Sequence, residues 1–309
     1  MLYLSTGNKA NSYTAHKVLR SAAAPDGGMF MPISIPVQDD IALAAFERMN
    51  TGETFAAILN LFFGTKLSGW DVDFAVGRQP LDLVSAGYKV SLAESWHNTA
   101  GSHNNLVQRL YNLVTREDHS SVEPNLWFET VVDIAILFTV YCKYCRQEIY
   151  TVDIAVEAGN LQQLLAIRYA QKMGLPIRKI VIGCLEGDGL WEFLSFGNYQ
   201  IGRKDRNPCM EALLWLEFGY AEAEKYSKAM ERRSTYRLSE SVLEQFRRGI
   251  FATVVGDDRV KNVIDSTVRT NNYHMECSTA RAFGALQDYR AKKGVNNNTL
   301  LFSRNSPAN

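Results

Sequence analysis

The sequence predicts an α/β protein built around a parallel β-sheet. The strongest observation is a β-branched run at residues 149–156, followed by Gly159-Asn160, a helical pattern over 161–173 and a second strand at 179–183. A strand, a helix and a strand in this order form a βαβ unit, whose two strands lie parallel. The length of 309 residues and the apolar fraction of 46% predict a compact chain of roughly two packed units.

The first third of the chain is predicted to be mainly helical. The turn Pro25-Asp26-Gly27-Gly28 ends its first helix, and the prolines that follow predict extended or edge structure over residues 29–36. The segment 51–54 is the expected cap of the last helix in this part. We assign residues 1–92 to an N-terminal lobe. Its predicted helices cover residues 10–22, 41–49 and 54–63.

The remainder, residues 93–309, is predicted to be an α/β lobe. A strand at 88–92 leads into it, and the alternation of strands with helices ends on a strand at 299–303. Strands that alternate with helices are typical of a sheet with helices packed on its faces. The predicted helices of this lobe cover residues 100–113, 126–147, 161–173, 239–248, 260–270 and 278–292.

The charge balance argues against nucleic acid and membranes as partners. Lys plus Arg number 33 and Asp plus Glu number 33, so no net field draws the chain to either anionic partner. The most apolar stretch, residues 131–141, contains Asp133 and is about half the ~20 residues that cross a bilayer, so it predicts a buried helix. No signal peptide is recognisable, and the five cysteines suit reduced thiols, so we expect a cytoplasmic protein.

Two short patterns that resemble metal sites are better explained as ordinary structure. Cys142-Lys143-Tyr144-Cys145 has the spacing of a zinc pair, but it lies in a helical pattern without a second cysteine pair. Glu186-Gly187-Asp188-Gly189 suits a loop after a parallel strand, and such a loop needs no ion. No metal site is therefore expected.

Four patches, in order along the chain, resemble the threonine synthases. Ser5-Thr6 and Ala22–Pro32 resemble the family opening, which usually reads Ser-Thr-Arg-Gly and later Leu-Ala-x-Asp-Gly-Gly-Leu-Tyr-x-Pro. The other patches are residues 94–106, 152–176 and 273–309, the last of which resembles the family helix Glu-Pro-His-x-Ala-x-x-Tyr-x-Ala-Leu. The resemblance implies the fold of the fold-type-II pyridoxal-phosphate enzymes, a tryptophan-synthase-β-type arrangement of three layers around a parallel sheet.

The resemblance also places Asn104 where the family has its cofactor-holding lysine. The family pattern His-Gly-Pro-Thr-x-x-Phe-Lys-Asp lies over residues 97–105. An amide cannot form an imine with pyridoxal phosphate or carry the proton that the lysine carries, so no catalytic residue is expected here. The residues expected to line a remaining ligand cleft are His97, Asn98, Thr99, His103 and Asn104.

The cofactor-binding signatures of the family are only partly present. Its Gly-Asn-x-Gly loop, whose backbone cradles the cofactor phosphate, is represented by Gly159-Asn160-Leu161-Gln162, with glutamine in place of the second glycine. Ser303 retains the hydroxyl that meets the pyridine nitrogen in the family, but the lysine of that near-terminal signature is absent. Gly159, Asn160 and Ser303 are thus the expected remnants of a cofactor site, and no bound cofactor is expected.

The distance between these landmarks implies a missing domain. Asn160 follows Asn104 by 56 positions (104 to 160), roughly half of what family members need. The small cofactor domain would occupy this stretch, with a Ser-Gly-Asp-Thr-Gly loop that grips the substrate carboxylate. Nothing similar stands between Thr115 and Asn125. We therefore expect the three-layer fold with its small cofactor domain largely missing.

These departures predict a threonine-synthase-like protein that has lost pyridoxal-phosphate catalysis. Such a pseudoenzyme would bind a partner protein, or a small phosphorylated or amino-acid ligand, in the retained cleft. The alternative is an active carbon–oxygen lyase or synthase that uses pyridoxal phosphate to act on O-phosphohomoserine or a related amino acid. For that alternative Lys89 is the nearest candidate lysine.

Loss of a domain is expected to uncover apolar surface. A helix with several large apolar side chains follows directly after the position of the missing domain, and we expect part of it to be exposed. A homo-oligomer, or a complex with an intact relative, is the expected way to cover this surface. The side chains concerned are Leu126, Trp127, Val131, Ile134 and Phe138.

Overall fold

A six-stranded sheet lies at the centre of the computed structural model, which describes residues 1–97, 102–116, 123–146, 150–199 and 206–306. A three-stranded sheet lies near the N-terminus, and a two-stranded ribbon lies in the second half. The strands are β1 (Leu2–Ser5), β2 (Ser12–Thr14), β3 (Phe30–Pro32), β4 (Asp82–Gly87), β5 (Val90–Glu94), β6 (Val152–Glu157), β7 (Ile177–Cys184), β8 (Asn198–Tyr199), β9 (Tyr236–Arg237), β10 (Ile250–Val254) and β11 (Thr299–Ser303).

Thirteen α-helices are described in these parts of the chain. They are α1 (Ala15–Leu19), α2 (Asp40–Arg48), α3 (Thr51–Phe63), α4 (Gly69–Val76), α5 (His103–Thr115), α6 (Leu126–Val140), α7 (Leu161–Lys172), α8 (Gly189–Phe196), α9 (Pro208–Phe218), α10 (Tyr220–Glu231), α11 (Glu240–Arg247), α12 (Asp257–Asn271) and α13 (Cys277–Lys293). None of them is long and apolar enough to cross a membrane.

The central sheet confirms the predicted parallel α/β fold. Its strand order is β10-β7-β6-β11-β5-β4, and all neighbours are parallel except the edge strand β4. The predicted βαβ unit is β6, α7 and β7. Side chains alternate between the two faces: Ile154 and Ile180 belong to the larger core cluster, whereas Ala155 and Val181 belong to a second cluster with α12 and α13. Core on both faces of the sheet makes the three layers that the sequence predicts.

Some predicted boundaries are wrong for local reasons. Residues 10–22 do not form one helix, because residues 12–14 pair with β1 and Thr14 then caps the short α1. The cap of α3 is Asn50 rather than the segment 51–54: the Glu53 N–H donates to the Asn50 side chain at 2.9 Å, and the Asn50 N–H donates to the Glu53 carboxylate at 2.8 Å. The predicted helix 126–147 changes to a π-helical turn at Tyr141–Cys145.

Helix α9 is absent from the sequence predictions because it lacks an amphipathic pattern. Six successive residues from Cys209 to Leu214 are buried, including Glu211. A helix that is buried on nearly all sides shows no alternation of apolar and polar faces, so periodicity alone does not reveal it.

The Asp-Gly-Gly turn near the N-terminus is a packing motif. The Ser5 hydroxyl donates to Asp26 Oδ1 at 2.6 Å, and the Met29 N–H donates to Thr6 Oγ1 at 2.9 Å. A Cβ atom on Gly28 would lie 2.4 Å from Ser5 Oγ and 2.7 Å from the backbone nitrogen of Gly7. Only glycine therefore allows the turn to pack this closely on β1.

The expectation that α6 would be partly exposed is wrong for its large side chains. Trp127, Val131, Ile134 and Phe138 are all at most 1% exposed, because α3 and α7 pack against α6 within the same chain. The remaining member, Leu126, is half-buried against the same core. A prediction of oligomers therefore needs support from another surface.

The chain between α5 and β6 is short, as the sequence predicts. Its described residues contain α6 and the π-helical turn but no strand, so this part supplies no second sheet. The predicted division after residue 92 would cut through β5, and the larger core cluster includes residues from both sides of it. The division into lobes at 1–92 and 93–309 stays a prediction.

Candidate functional site

A small cleft lies at the carboxyl ends of β6 and β11, beside the first turns of α7 and α13. In parallel sheets ligands bind at this edge. The cleft volume is about 20 Å³, room for about one water molecule, so a larger ligand needs the lining side chains to move apart. Its polar lining residues include Glu157, Asn160, Gln163, Glu276, Thr279 and Arg304.

The Gly159-Asn160 pair forms the turn between β6 and α7. Asn160 is the cap of α7, and its Oδ1 accepts a hydrogen bond from the Gln163 N–H at 3.1 Å. Asn160 also lines the cleft, as a remnant of a ligand loop would. A Cβ built on Gly159 would lie 3.7 Å from Glu157 Oε2, so a carboxylate is next to this loop.

Gln162 connects the loop to the interior of the protein. With its amide nitrogen facing α6, it donates to Glu129 Oε2 at 3.0 Å, and its oxygen accepts from the Thr130 N–H at 3.2 Å. These two bonds hold α7 to α6. Where the family has a glycine that lets the cofactor phosphate approach the backbone, this chain thus has a side chain with internal partners.

Ser303 lies at the end of β11 and is also bonded within the protein. Its hydroxyl lies 3.1 Å from the carbonyl oxygen of Asn305 and 3.4 Å from Glu276 Oε1. The same Glu276 oxygen accepts from the Arg304 N–H at 3.0 Å and the Thr279 hydroxyl at 3.2 Å. Glu276 is therefore held by hydrogen bonds beside Ser303, the residue that the resemblance expects to meet the pyridine nitrogen.

The charges around the cleft do not suit a phosphate. Arg281 pairs with both Glu157 and Asp257 at 2.6 Å, and Arg304 pairs with Asp133. Glu276 has no ion-pair partner among the described residues. The group therefore holds four carboxylates and two guanidinium ions. A phosphate dianion placed here would meet net negative charge, whereas phosphate sites present backbone N–H groups and cations.

His103 is buried at the start of α5. Its Nδ1 lies 2.9 Å from Ser95 Oγ, and its Nε2 lies 3.5 Å from Asp133 Oδ1. Burial, and secondarily the charge of Arg304, lowers the pKa of His103 well below its usual value, so the ring is neutral. His103 therefore packs inside the protein and is not open to the cleft.

Asn104 is exposed in the first turn of α5, and its N–H donates to Ser102 Oγ at 3.2 Å. Asn98 and Thr99 lie outside the described residues. His97 stacks on Trp96 with ring centroids 4.0 Å apart. The roles of His97, Asn98, Thr99, His103 and Asn104 as ligand-cleft residues stay predictions.

His97 also belongs to the group that could hold a metal ion. Asp82, Glu94 and His97 each offer one ligand atom, and these atoms lie within 4.8 Å of one another. Asp82 and Glu94 are directly opposite on β4 and β5. Glu94 nevertheless has internal partners for both oxygens, since Oε2 lies 2.5 Å from His97 Nε2 and Oε1 accepts from the Tyr273 hydroxyl. Its buried carboxylate therefore needs no ion.

Lys89 is at the wrong end of the sheet to serve as the cofactor lysine. It lies in the turn between β4 and β5, and its carbonyl oxygen accepts from the N–H of Thr299 at the start of β11. The cleft lies at the opposite, carboxyl ends of the strands. At ~3.3 Å per residue, the length of β5 separates the two by roughly 15 Å. No lysine of the described residues lines the cleft.

Comparison with known proteins supports the fold. A family profile described as "Threonine synthase N terminus" matches residues 2–76. Three solved threonine synthase structures superpose over nearly the whole chain. The chain is a relative of the threonine synthases. The one from Brucella melitensis, solved with pyridoxal phosphate bound, has a TM-score of 0.82 at 17% identity and covers 100% of this chain and 89% of its own.

Two further structures support the fold of this threonine synthase-like chain. The yeast enzyme has a TM-score of 0.78 at 15% identity and covers 99% of this chain and 87% of its own. The Escherichia coli enzyme has a TM-score of 0.74 at 12% identity and covers 99% of this chain and 89% of its own. At these identities the likeness shows the fold alone.

Curated relatives match over shorter segments. Human threonine synthase-like 1 is 23% identical over 146 residues, which cover 42% of this chain and 20% of that protein. The threonine synthase of Saccharomyces cerevisiae is 26% identical over 170 residues, which cover 46% of this chain and 32% of that protein. The threonine synthase-like chain therefore matches about a fifth to a third of the length of these relatives.

Several polar residues of the threonine synthase-like cleft were missed by the sequence reasoning. Glu276 and Arg304 lie inside the patch that resembles the family, and Glu157 precedes Gly159 by two positions. Charged residues next to strand ends are the signal that could have identified them. Arg281 gave no signal, because its role depends on partners 124 and 24 positions away in the sequence.

Glu129, which contacts Gln162, makes stability depend on pH. Burial, against an opposing effect of Arg304, raises the pKa of Glu129 from 4.5 to about 7. Because the folded state holds this proton more tightly than the unfolded chain, the contribution to stability is full below pH 4.5 and is lost as pH rises through 7. Glu129 is partly exposed, so the effect is moderate. We expect the loss of unfolding free energy between pH 5 and pH 8 to be about 1–3 kcal/mol smaller in Glu129→Gln than in the unchanged chain.

Denaturant unfolding of both proteins at pH 5, 6.5 and 8 measures this effect. Glu224→Gln is the control, because this carboxyl is 40% exposed in a surface ion pair. It should leave the dependence of unfolding free energy on pH unchanged. The same dependence in the unchanged chain and in Glu129→Gln would contradict a raised pKa of Glu129.

Proposed function

We propose that this chain is a threonine synthase-like protein without pyridoxal-phosphate catalysis, and that its cleft binds a small amino acid. The single observation that supports the proposal is that the residues predicted for the cofactor site have hydrogen-bond partners inside the protein or lack an amine. Asn104 stands at the predicted lysine position, and Gln162 and Ser303 are bonded to internal partners. Pyridoxal phosphate bound as an imine needs a lysine amine and a phosphate cradle, and the cleft supplies neither from its described residues.

An amino acid suits the cleft better than a phosphorylated ligand. An amino acid carries an ammonium group and a carboxylate, so it matches a lining that includes the carboxylates of Glu157 and Glu276 together with the guanidinium of Arg304. A phosphate carries only negative charge. We expect the ammonium group near Glu276, which has no other cation, and the carboxylate near Arg304.

We also propose that the protein acts in the cytoplasm. Cys184, Cys209 and Cys277 are free thiols, which suits a reducing compartment. Burial raises the pKa of Cys184 and Cys209 to about 12, so both thiols stay protonated and unreactive at neutral pH.

Incubation with pyridoxal phosphate, followed by borohydride reduction, tests the loss of catalysis. We expect no absorbance band near ~400 nm and no single lysine that takes up the cofactor. Weak labelling spread over exposed lysines is the expected background. A band at ~400 nm that maps to one lysine in equal amount with the protein would show that the catalytic proposal is wrong. Asn104→Lys should not restore threonine formation, and measurable activity of that variant would contradict the same point.

Titration with the twenty common amino acids and with inorganic phosphate tests the ligand proposal separately. We expect at least one amino acid to bind, and Glu276→Gln to weaken its binding at least 10-fold. Glu224→Gln is the matched control, because Glu224 does not line the cleft, and this variant should bind as the unchanged chain does. Binding of phosphate but of no amino acid would contradict the choice of ligand without restoring the catalytic alternative.

A further inference from the structure

Helix α4 presents two large aromatic side chains to solvent. Trp70 is 74% exposed and Phe74 is 84% exposed, and their spacing of four residues places them on one face of the helix. They border an open groove of about 580 Å³, whose lining also includes Asn50, Asp73 and Arg78. We call these five residues the α4 patch. Single exposed apolar residues are common, but adjacent large aromatics around a groove are typical of an interaction site.

The exposed rings of Trp70 and Phe74 contribute little to the stability of the chain itself. Helix α4 is held by Val72 and Val76, which are fully buried, and by a capping box between Ser68 and Asp71. The Trp70 and Phe74 side chains point away from this packing. A structural role inside the chain therefore does not explain why aromatic residues stand at these two positions.

The charges of the α4 patch favour a second copy of the same chain. Asp73 and Arg78 carry opposite charges in the lining of the groove. Arg78 is exposed, and Asp73 is half-buried with its carboxylate beside Gly52 of α3. A two-fold axis near the end of α4 would cross two copies of the helix in antiparallel orientation. Asp73 would then face Arg78 of the second copy, and the same contact would occur twice. A patch that carries both halves of an ion pair is self-complementary, as a two-fold interface requires.

We propose that the chain forms a two-fold homodimer through the α4 patch, with Phe74 of the two copies at its centre. At ~150–250 Å² for each aromatic side chain, the two exposed rings supply roughly 300 Å² per copy. Stable interfaces bury about 800 Å² per partner, so the polar rim supplies the rest and the dimer is of the weak class, with a Kd on the order of micromolar. The zero net charge of the chain adds no long-range repulsion between copies.

Sedimentation of the full chain tests the dimer. The concentrations run from 1 to 100 µM, on the order of the expected Kd. The parent should shift from monomer to dimer over this range, and Phe74→Ser should raise the Kd at least 10-fold. Phe196→Ser is the matched control, because Phe196 is 71% exposed on α8 and lies outside the patch. A parent that stays monomeric at 100 µM would overturn the proposal. A dimer that Phe74→Ser leaves unchanged would do the same, because another surface would then form it.

A charge exchange identifies the contact between copies. In a dimer of Asp73→Arg, the new arginine of each copy would face Arg78 of the other. In a dimer of Arg78→Asp, the new aspartate of each copy would face Asp73 of the other. Both arrangements place like charges together. Each variant alone should be monomeric and still folded, which circular dichroism checks. An equimolar mixture of the two should dimerise again, since every contact between unlike copies then joins opposite charges. An interaction within one chain cannot produce this recovery. Two variants that stay monomeric when mixed would show that Asp73 and Arg78 do not face each other.

Discussion

Phe62→Ala is expected to lower the free energy of unfolding by about 3–5 kcal/mol. Phe62 is fully buried on α3, and its ring contacts Trp127 of α6 and Tyr169 of α7, with ring centroids 5.5 and 5.8 Å away. These edge-on contacts join the N-terminal helices to the helices beneath the central sheet. Truncation to alanine removes the ring from all of them and leaves a cavity in a region that cannot collapse easily.

Thermal and denaturant unfolding measure the effect. A melting temperature lower by roughly 10 °C is expected for a chain of this size. Phe196→Ala is the control, since its ring is 71% exposed, and it should change stability by less than about 0.5 kcal/mol. A loss at Phe62 no larger than the loss at Phe196 would contradict the view that one aromatic cluster joins the two parts of the chain.

Arg304→Met is expected to cost about 3–5 kcal/mol at pH 8, because it leaves a buried carboxylate without a counter-ion. Asp133 is 4% exposed in the middle of α6, and Arg304 is its only ion-pair partner besides the neutral His103 among the described residues. Burial raises the pKa of Asp133, and Arg304 opposes this rise. Without Arg304 the pKa should rise further, so the carboxyl takes up a proton as the pH falls.

The sign of the pH effect follows from this rise. A raised pKa in the folded state means that the stability of the variant is highest below the ordinary pKa of the carboxyl and falls as pH rises through the raised value. The cost of Arg304→Met should therefore be smaller at pH 5 than at pH 8. The double variant Asp133→Asn, Arg304→Met should recover much of the loss at pH 8. Lys228→Met, which breaks an exposed pair with Glu224, is the control and should cost less than about 1 kcal/mol. Equal losses at both pH values would contradict the buried-charge explanation.

Polar residues at and beside the predicted cofactor remnants have hydrogen-bond partners inside the protein. Gln162 bonds to Glu129, Arg304 bonds to Asp133, and Glu276 accepts from Ser303 and Arg304. These contacts join α7 and the end of β11 to α6, and the start of α13 to the end of β11.

The sequence alone determined the features that depend on neighbouring residues. The alternation at residues 149–183 defined β6, α7 and β7, because a βαβ unit is local. The identity of residue 104 excludes an imine-forming amine at that position however the chain folds. The tertiary structure alone decided which charges meet. Arg304 and Asp133 are 171 positions apart, and Arg281 and Glu157 are 124 apart, so only the parallel sheet brings them together. The same limit explains the error at α6 and the failed candidate Lys89. A hydrophobic helix looks the same in sequence whether or not α3 and α7 cover it, and a lysine six residues before Ser95 gives no sign that β5 carries it to the opposite edge of the sheet.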